Sequence, residues 1–319
     1  MKNEENDEKL VVDEPNEEDK EVDASSGKLK LITAIIIIAF IISIALVILG
    51  IVKYFFTEPK DYEVYQKYEK MGEITGSGDD KVYKGRNKEN KNEYVAIKEI
   101  HISKNRTKDI IDQEIKYMEL FNNSKNSLKY IYNVEEDNIV FLVTELYENN
   151  LKAYVNNSKD GFNPDEIKIV MNQLSSVLKE ILNQNIIHHD IKLENIFVTF
   201  NNESNESKFD VKLSEYGKAV NLTNEKNSTE NETKKLYLSD LFSLGKLMYE
   251  MSFKKLENST EAMIENINKI SDLELVDLLN KTLVDDVDQR IDWDNFFSHS
   301  FINTTDLNWS QVENIKTLN

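Results

Sequence analysis

Between Leu31 and Val52 the chain reads LITAIIIIAFIISIALVILGIV, 22 residues without one charge. At about 1.5 Å rise per residue a helix of that length extends about 33 Å, enough for a hydrocarbon core of about 30 Å. A helix on the flank of a soluble core would need a polar stripe, and none is visible. The run is therefore expected to be a transmembrane helix, followed by Lys53, Tyr54, Phe55 and Phe56, which suit a membrane–water interface. A cleaved leader is not expected, because the preceding segment is long and acidic and the apolar run exceeds a normal signal core. The expectation is an uncleaved signal anchor. Lysine counts leave the orientation open: Lys20, Lys28 and Lys30 precede the run, and Lys53, Lys60, Lys67 and Lys70 follow it. Sequons such as those at Asn205, Asn227 and Asn231 arise by chance in so Asn-rich a chain and do not prove a lumenal domain.

Residues 1–30 hold eleven Asp/Glu against five Lys, with few apolar residues and no period, and read as a disordered acidic tail. The whole chain carries 58 Asp+Glu against 39 Lys+Arg, a net charge of −19. Nucleic acid is excluded as an expected partner, because phosphate binding needs a basic surplus. There is no cysteine, so disulfides, thiolate metal sites and cysteine nucleophiles are excluded together.

After a linker over 53–64 the chain becomes globular and mixed. Glu93–Ile100 and Ile139–Thr144 read as strands. Helical periodicity runs through Ile110–Phe121 and through Asp165–Asn183, where Pro164 suits the first turn. Further helices are expected at Leu238–Met251, Leu273–Leu283 and Trp293–Phe297, and polar loops at Asn201–Ser207 and Asn221–Thr233. A strand-rich part thus precedes a helix-rich part.

Four strings carry possible chemistry. ITGSGDDKVYKGR, Ile74–Arg86, offers Gly76 and Gly78, which let a backbone turn approach phosphates; taken alone they are better explained by a hairpin turn. VAIK ends a strand on Lys98, and Glu114 follows sixteen residues later on a helix; in isolation that is a surface ion pair. IIHHDIKLENIFV, Ile186–Val198, brings Asp190, Lys192 and Asn195 within six residues. A carboxylate can accept a proton from an attacking hydroxyl, a lysine can neutralise a phosphoryl group, and an Asn oxygen can bind Mg²⁺. His188 and His189 do not suit a shared metal, since neighbours on a strand point to opposite faces. VKLSEYGKA, Val211–Ala219, places Glu215 before Tyr216 and Gly217.

In this order the strings resemble the signature set of the protein kinase family. The resemblance covers about Tyr65 to Ile302. It includes SDLFSLG at Ser239–Gly245 and DQRIDWDNFFSHSFI at Asp288–Ile302, with Arg290 as its buried arginine. Lys192, two residues after Asp190, resembles the Ser/Thr branch. The resemblance implies an α+β fold of two lobes, β-rich then helical, with ATP and Mg²⁺ (or Mn²⁺) in the cleft. It implies Asp190 as base and Lys192 as the γ-phosphate contact. Gly76, Gly78, Val82, Ala96, Lys98, Glu114, Thr144, Glu145 and Tyr147 would surround the nucleotide, with Thr144 as gatekeeper and Glu145–Tyr147 as hinge. Asn195 and Glu215 would hold the metal, and His188, Tyr216 and Met118 would join a packed spine between the lobes.

The chain departs from the family at four places. Glu215 stands where the family has aspartate, one methylene too long for a metal that demands about 2.0–2.1 Å. The third loop glycine is missing, and Asp79 and Asp80 would repel a triphosphate. His189 replaces the arginine that gathers a phosphorylated loop, so switching by loop phosphorylation is not expected. The segment from Glu215 to Asp240 is about ten residues short of the pattern and contains no A-P-E, leaving Glu230 or Glu232 to pair with Arg290. The reading is a single-pass membrane protein with a tail at 1–30, a span at 31–52, a kinase-like domain at 65–302 facing the cytosol, and a tail at 303–319. It transfers phosphate from ATP to protein Ser/Thr hydroxyls with reduced efficiency, or serves as a pseudokinase scaffold for a signalling partner.

Overall fold

The computed structural model describes residues 17–56, 62–77, 80–201, 208–224 and 229–303. The chain divides into two units, Met1–Asp61 and Tyr62–Asn319.

Within the first unit, α1 (Glu17–Phe56) is one continuous helix of 40 residues. Its segment Lys30–Leu49 has a mean hydropathy of 3.3 and is wholly unburied, the one such helix among the described residues. The expected tail falls partly inside α1. From Glu17 onward the helix extends back from the apolar run, and Glu17, Glu18 and Asp19 fall in its first turn. Residues 1–16 lie outside the described residues.

The second unit opens with a short helix, α2 (Glu63–Lys67), then β1 (Tyr68–Ser77), β2 (Asp80–Asn87), β3 (Tyr94–His101), α3 (Lys108–Leu120), β4 (Tyr130–Glu136) and β5 (Ile139–Glu145). The strands form one antiparallel sheet in the order β1-β2-β3-β5-β4. Side chains alternate across it. Val95, Ile97, Phe141 and Val143 point to one face, where Val64 of α2 and Tyr68 complete a buried cluster. Ala96, Lys98, Leu142 and Thr144 therefore point to the other, and the pairs Ala96↔Thr144, Lys98↔Leu142 and Val82↔Lys98 bring them side by side. This face is the roof of the cleft.

The second lobe contains α4 (Leu151–Asn157), α5 (Pro164–Asn183), β6 (Ile186–Ile187), β7 (Ile196–Asn201), β8 (Lys208–Leu213), β9 (Val220–Asn221), α6 (Glu230–Tyr237), α7 (Ser239–Phe253), α8 (Thr260–Ile267), α9 (Leu273–Thr282) and α10 (Trp293–Ser298). The long α5 starts on a capping box between Asn163 and Glu166 with Pro164 in its first turn, and buries the face that includes Ile167, Val170, Met171, Leu174 and Leu178. Among the described residues the architecture is thus a β-rich lobe followed by a helical one.

Two expectations are corrected here. The polar stretch over Asn221–Thr233 is not all loop. Thr229 and Glu232 form a capping box that starts α6 at Glu230, and α6 runs nearly directly into α7. Arg290 does not pair with Glu230 or Glu232. Its guanidinium donates to the carbonyls of Leu238 (3.0 Å) and Val284 (2.9 Å) and lies over the Phe242 ring. The planar fork of arginine suits carbonyls left open at chain ends, so it ties α7 to the segment before α10 without a carboxylate partner. Residues 202–207, 225–228 and 304–319, which include most of the Asn201–Ser207 loop and of the expected C-terminal tail, lie outside the described residues.

Candidate active site

The site begins with Lys98 on the roof face of β3. Its Nζ lies 2.7 and 2.8 Å from the two carboxylate oxygens of Glu215 and 3.4 Å from Glu114 Oε1 on α3. Burial alone would lower the pKa of this lysine, but the Glu215 and Glu114 carboxylates more than offset it and hold the ammonium charged. Burial would raise that of Glu215, and Lys98 holds it below the usual range. Glu114 is 1% exposed, and its second oxygen accepts from Arg106 Nη2 at 2.7 Å. Arg106 also reaches the carboxylate of Asp80 at the start of β2. Charges of alternating sign therefore run from Asp80 through Arg106, Glu114 and Lys98 to Glu215. Asp80, expected to repel a triphosphate, is paired with Arg106, and Asp79 lies outside the described residues.

The floor is the segment from His188 to Asn195. Asp240, in the first turn of α7, accepts from the backbone N–H of His188 (2.7 Å) and of His189 (2.8 Å), and His189 takes a left-handed φ of 62°. This clamp turns Asp190 into the cleft. Asn195 donates to Asp190 Oδ2 at 2.9 Å, Lys192 lies 3.3 Å from the same oxygen, and Lys218 donates to Oδ1 at 2.9 Å. Burial pushes the Asp190 carboxyl upward, but Lys218, Asn195 and Lys192 together hold it below the usual carboxylate range. Behind the floor, the buried His188 ring meets Tyr216 at 5.1 Å, and Tyr216 stacks on Phe121 and shares a hydrogen bond with Ser127. Gly217 fits here for a steric reason: a Cβ would lie 3.0 Å from Glu114 Oε2.

Roof and floor enclose a cavity of about 510 Å³. Val82, Ala96, Lys98, Glu114, Thr144, Glu145, Tyr147, Asp190, Lys192, Asn195 and Glu215 all line it. The Gly76 backbone sits in β1 opposite Lys81, and β1 and β2 remain paired as far as Ser77↔Asp80. Gly78 lies outside the described residues. Sequence reasoning missed Arg106 and Lys218 in the lining. It also missed Leu142 and Phe197, the latter stacked on Tyr147 at 5.7 Å.

Residues 65–302 match the protein kinase domain family. The chain belongs to the protein kinase family. A protein of Acanthamoeba polyphaga mimivirus named as a serine/threonine-protein kinase is 26% identical over 268 residues, 68% of this chain and 58% of the viral protein. The serine/threonine-protein kinase PLK4 of Nematostella vectensis is 27% identical over 242 residues, 67% of this chain and 24% of its own length. The serine/threonine-protein kinase unc-51 of Caenorhabditis elegans is 25% identical, covering 69% and 30%. The chain thus spans less than two thirds of the length of each of these relatives.

Protein kinases generally use ATP with Mg²⁺, which would call on Asn195 and Glu215. Asn195 donates through its amide nitrogen, which leaves its Oδ1 to hold a divalent ion, and the Glu215 side chain is 42% exposed. Both Glu215 oxygens accept from Lys98, both Asp190 oxygens face Lys192, Lys218 or Asn195, and Asn195 turns its amide N–H toward Asp190. A cation at Glu215 would share that carboxylate with Lys98. Among the described residues no group of three or more His, Cys, Asp or Glu forms a metal cluster.

Proposed function

We propose that this protein is a membrane-anchored kinase-family member of the Ser/Thr branch that binds ATP in the cleft and transfers its γ-phosphate to protein hydroxyls with reduced efficiency. The convergence of Lys98, Asp190, Lys192 and Asn195 on one cavity of about 510 Å³ carries the reading. Val82, Ala96 and Leu142 offer an apolar bed for a purine, with Thr144 as gatekeeper and the Glu145–Tyr147 backbone as hinge. In the transfer step a hydroxyl oxygen bonds to the γ-phosphorus, its proton passes to Asp190, and the bond to ADP breaks. Lys192 neutralises the moving phosphoryl group. Asn195 and Glu215 would hold Mg²⁺, and efficiency falls because Glu215 is shared with Lys98. The domain, at 65–302, works in the cytosol, where ATP is plentiful, and Leu31–Val52 anchors it.

A second reading, a pseudokinase that uses nucleotide to shape a surface for a signalling partner, is favoured by one observation: Lys218 occupies Asp190 Oδ1 at 2.9 Å. Phosphate transfer from labelled ATP by the full chain in detergent micelles, beside Asp190→Asn, separates the two. Transfer that disappears in the variant supports the enzyme. Transfer no greater than that of the folded variant supports the pseudokinase.

A further inference from the structure

Glu114 lines the cleft, is buried, and divides its two oxygens between two cations. Oε2 accepts from Arg106 Nη2 at 2.7 Å, while Oε1 stands 3.4 Å from Lys98 Nζ. Lys98 in turn lies 2.7 and 2.8 Å from the oxygens of the more exposed Glu215. The buried carboxylate thus takes its close bond from the arginine, and the lysine leans the other way. Arg106 is fixed for this task. It precedes α3 in a turn that closes on itself: the Ser103 N–H donates to the Arg106 carbonyl at 3.0 Å, and the Ser103 hydroxyl accepts from the Arg106 N–H at 3.2 Å. Its Nη1 reaches Asp80. Gly217 faces the oxygen that Arg106 holds, and Gln113 on α3 donates to the Ala219 carbonyl at 2.9 Å, so Glu114 has little room to turn away from either cation.

We infer that Arg106 is a positioning residue: by holding Glu114 it turns Lys98 toward Glu215, and so sets how much of the Glu215 carboxylate is left for the divalent ion of a bound nucleotide. The inference rests on the nucleotide reading above. Asp80, Glu114 and Glu215 share two cations along this chain of contacts, so a change at one end is felt at the other. A buried carboxylate deprived of one cation draws on the other. Without the guanidinium, Lys98 closes on Glu114 and gives up Glu215. The control runs through Glu114 and not through a direct repulsion between Arg106 and the metal.

The test titrates the full chain, in nanodiscs, with ATP in EDTA and in millimolar Mg²⁺, and with adenosine. The ratio of the two ATP affinities isolates the share of the metal. In Arg106→Met that ratio is expected to rise about tenfold, within the range over which neighbouring charges couple, with adenosine affinity unchanged. Arg106→Lys, which keeps a cation beside Glu114, should stay within about twofold of wild type. In a Glu114→Gln background, where no charge draws Lys98 back, Arg106→Met should leave the ratio unchanged. A ratio that rises equally in both backgrounds would make Arg106 a plain opposing charge and overturn the inference. So would an Arg106→Met ratio equal to that of wild type, or a rise that Arg106→Lys shows in full. Each of these leaves the nucleotide reading standing. Folded wild type that binds neither ATP nor adenosine would overturn the nucleotide reading and the inference with it.

Discussion

Lys98 is held more closely by Glu215, at 2.7 and 2.8 Å to its two oxygens, than by Glu114 at 3.4 Å. The extra methylene of Glu215, against the aspartate that protein kinases carry there, gives the carboxylate reach to grip the lysine. Glu215→Asp should release it. The expected outcome is a lower Mg²⁺ concentration for half-maximal transfer and a rise in phosphate transfer of up to about 10²-fold, the scale that a misplacement of about 1 Å costs. Transfer assays over a range of Mg²⁺ concentrations check it.

Lys98→Met leaves Glu215 without its cation and Glu114 with Arg106 alone. Removing one partner of a buried pair costs about 3–5 kcal/mol, and the Arg106 contact at 2.7 Å puts the expected loss at the low end. Denaturant unfolding of the variant measures it. Lys98→Arg should recover part of the loss.

The pH dependence of stability has two opposing contributions on the floor. Burial pushes the pKa of His188 down to about 4, so its contribution is full above the unfolded value near 6.5 and is lost as pH falls toward 4. Burial pushes that of Asp240 up to about 6, against the N–H bonds from His189 and His188, so its contribution is full below the unfolded value of 3.8 and is lost as pH rises through 6. The two slopes nearly cancel between about pH 4 and 6. In His188→Phe the Asp240 slope remains alone. The stability difference between wild type and variant should shrink by about 3 kcal/mol from pH 7 to pH 4. Urea unfolding across that range reads it directly.

Arg290 donates closely to two backbone carbonyls, with a third, that of Asp285, at 3.5 Å, and each close bond from a charged donor is worth about 1.5–3 kcal/mol. Arg290→Ala should destabilise the helical lobe by about 3–6 kcal/mol by that measure, and Arg290→Lys should recover little because it lacks the fork. Glu230→Ala should be nearly neutral. Thermal unfolding of the three variants distinguishes this arrangement from a carboxylate pair.

The apolar run of α1 should hold the chain in membranes through carbonate extraction. Ile41→Arg places a charge near its centre, at a cost of about 2.5–3.5 kcal/mol, and should shift the chain toward the soluble fraction. Fractionation of membranes from expressing cells measures the shift.

Much of the site was legible because its residues are local or periodic. Asp190, Lys192 and Asn195 fall within six residues, and Lys98 ends an apolar strand whose partner glutamate lies on an amphipathic helix. Arg106 was invisible for the opposite reason. It sits in a polar loop, and its partner Asp80 lies 26 residues away on another strand. Lys218 follows the motif glycine without any pattern of its own. Arg290 was paired with the wrong chemistry because backbone carbonyls leave no trace in side-chain identity. The short helices α4, α6 and α8 escaped notice because seven or eight residues hold about two turns, too few for an apolar period to emerge. The capping box of Thr229 and Glu232 was readable as T-x-x-E.

The most direct measurement is photolabelling of the full chain by azido-ATP, followed by mapping of the labelled peptide. Saturable labelling within β3 or the Phe141–Tyr147 segment, suppressed by excess ATP and by filling the cleft with Ala96→Trp, is the expected result. Saturable labelling elsewhere, or none on folded protein, would contradict the assignment of this cleft to a nucleotide.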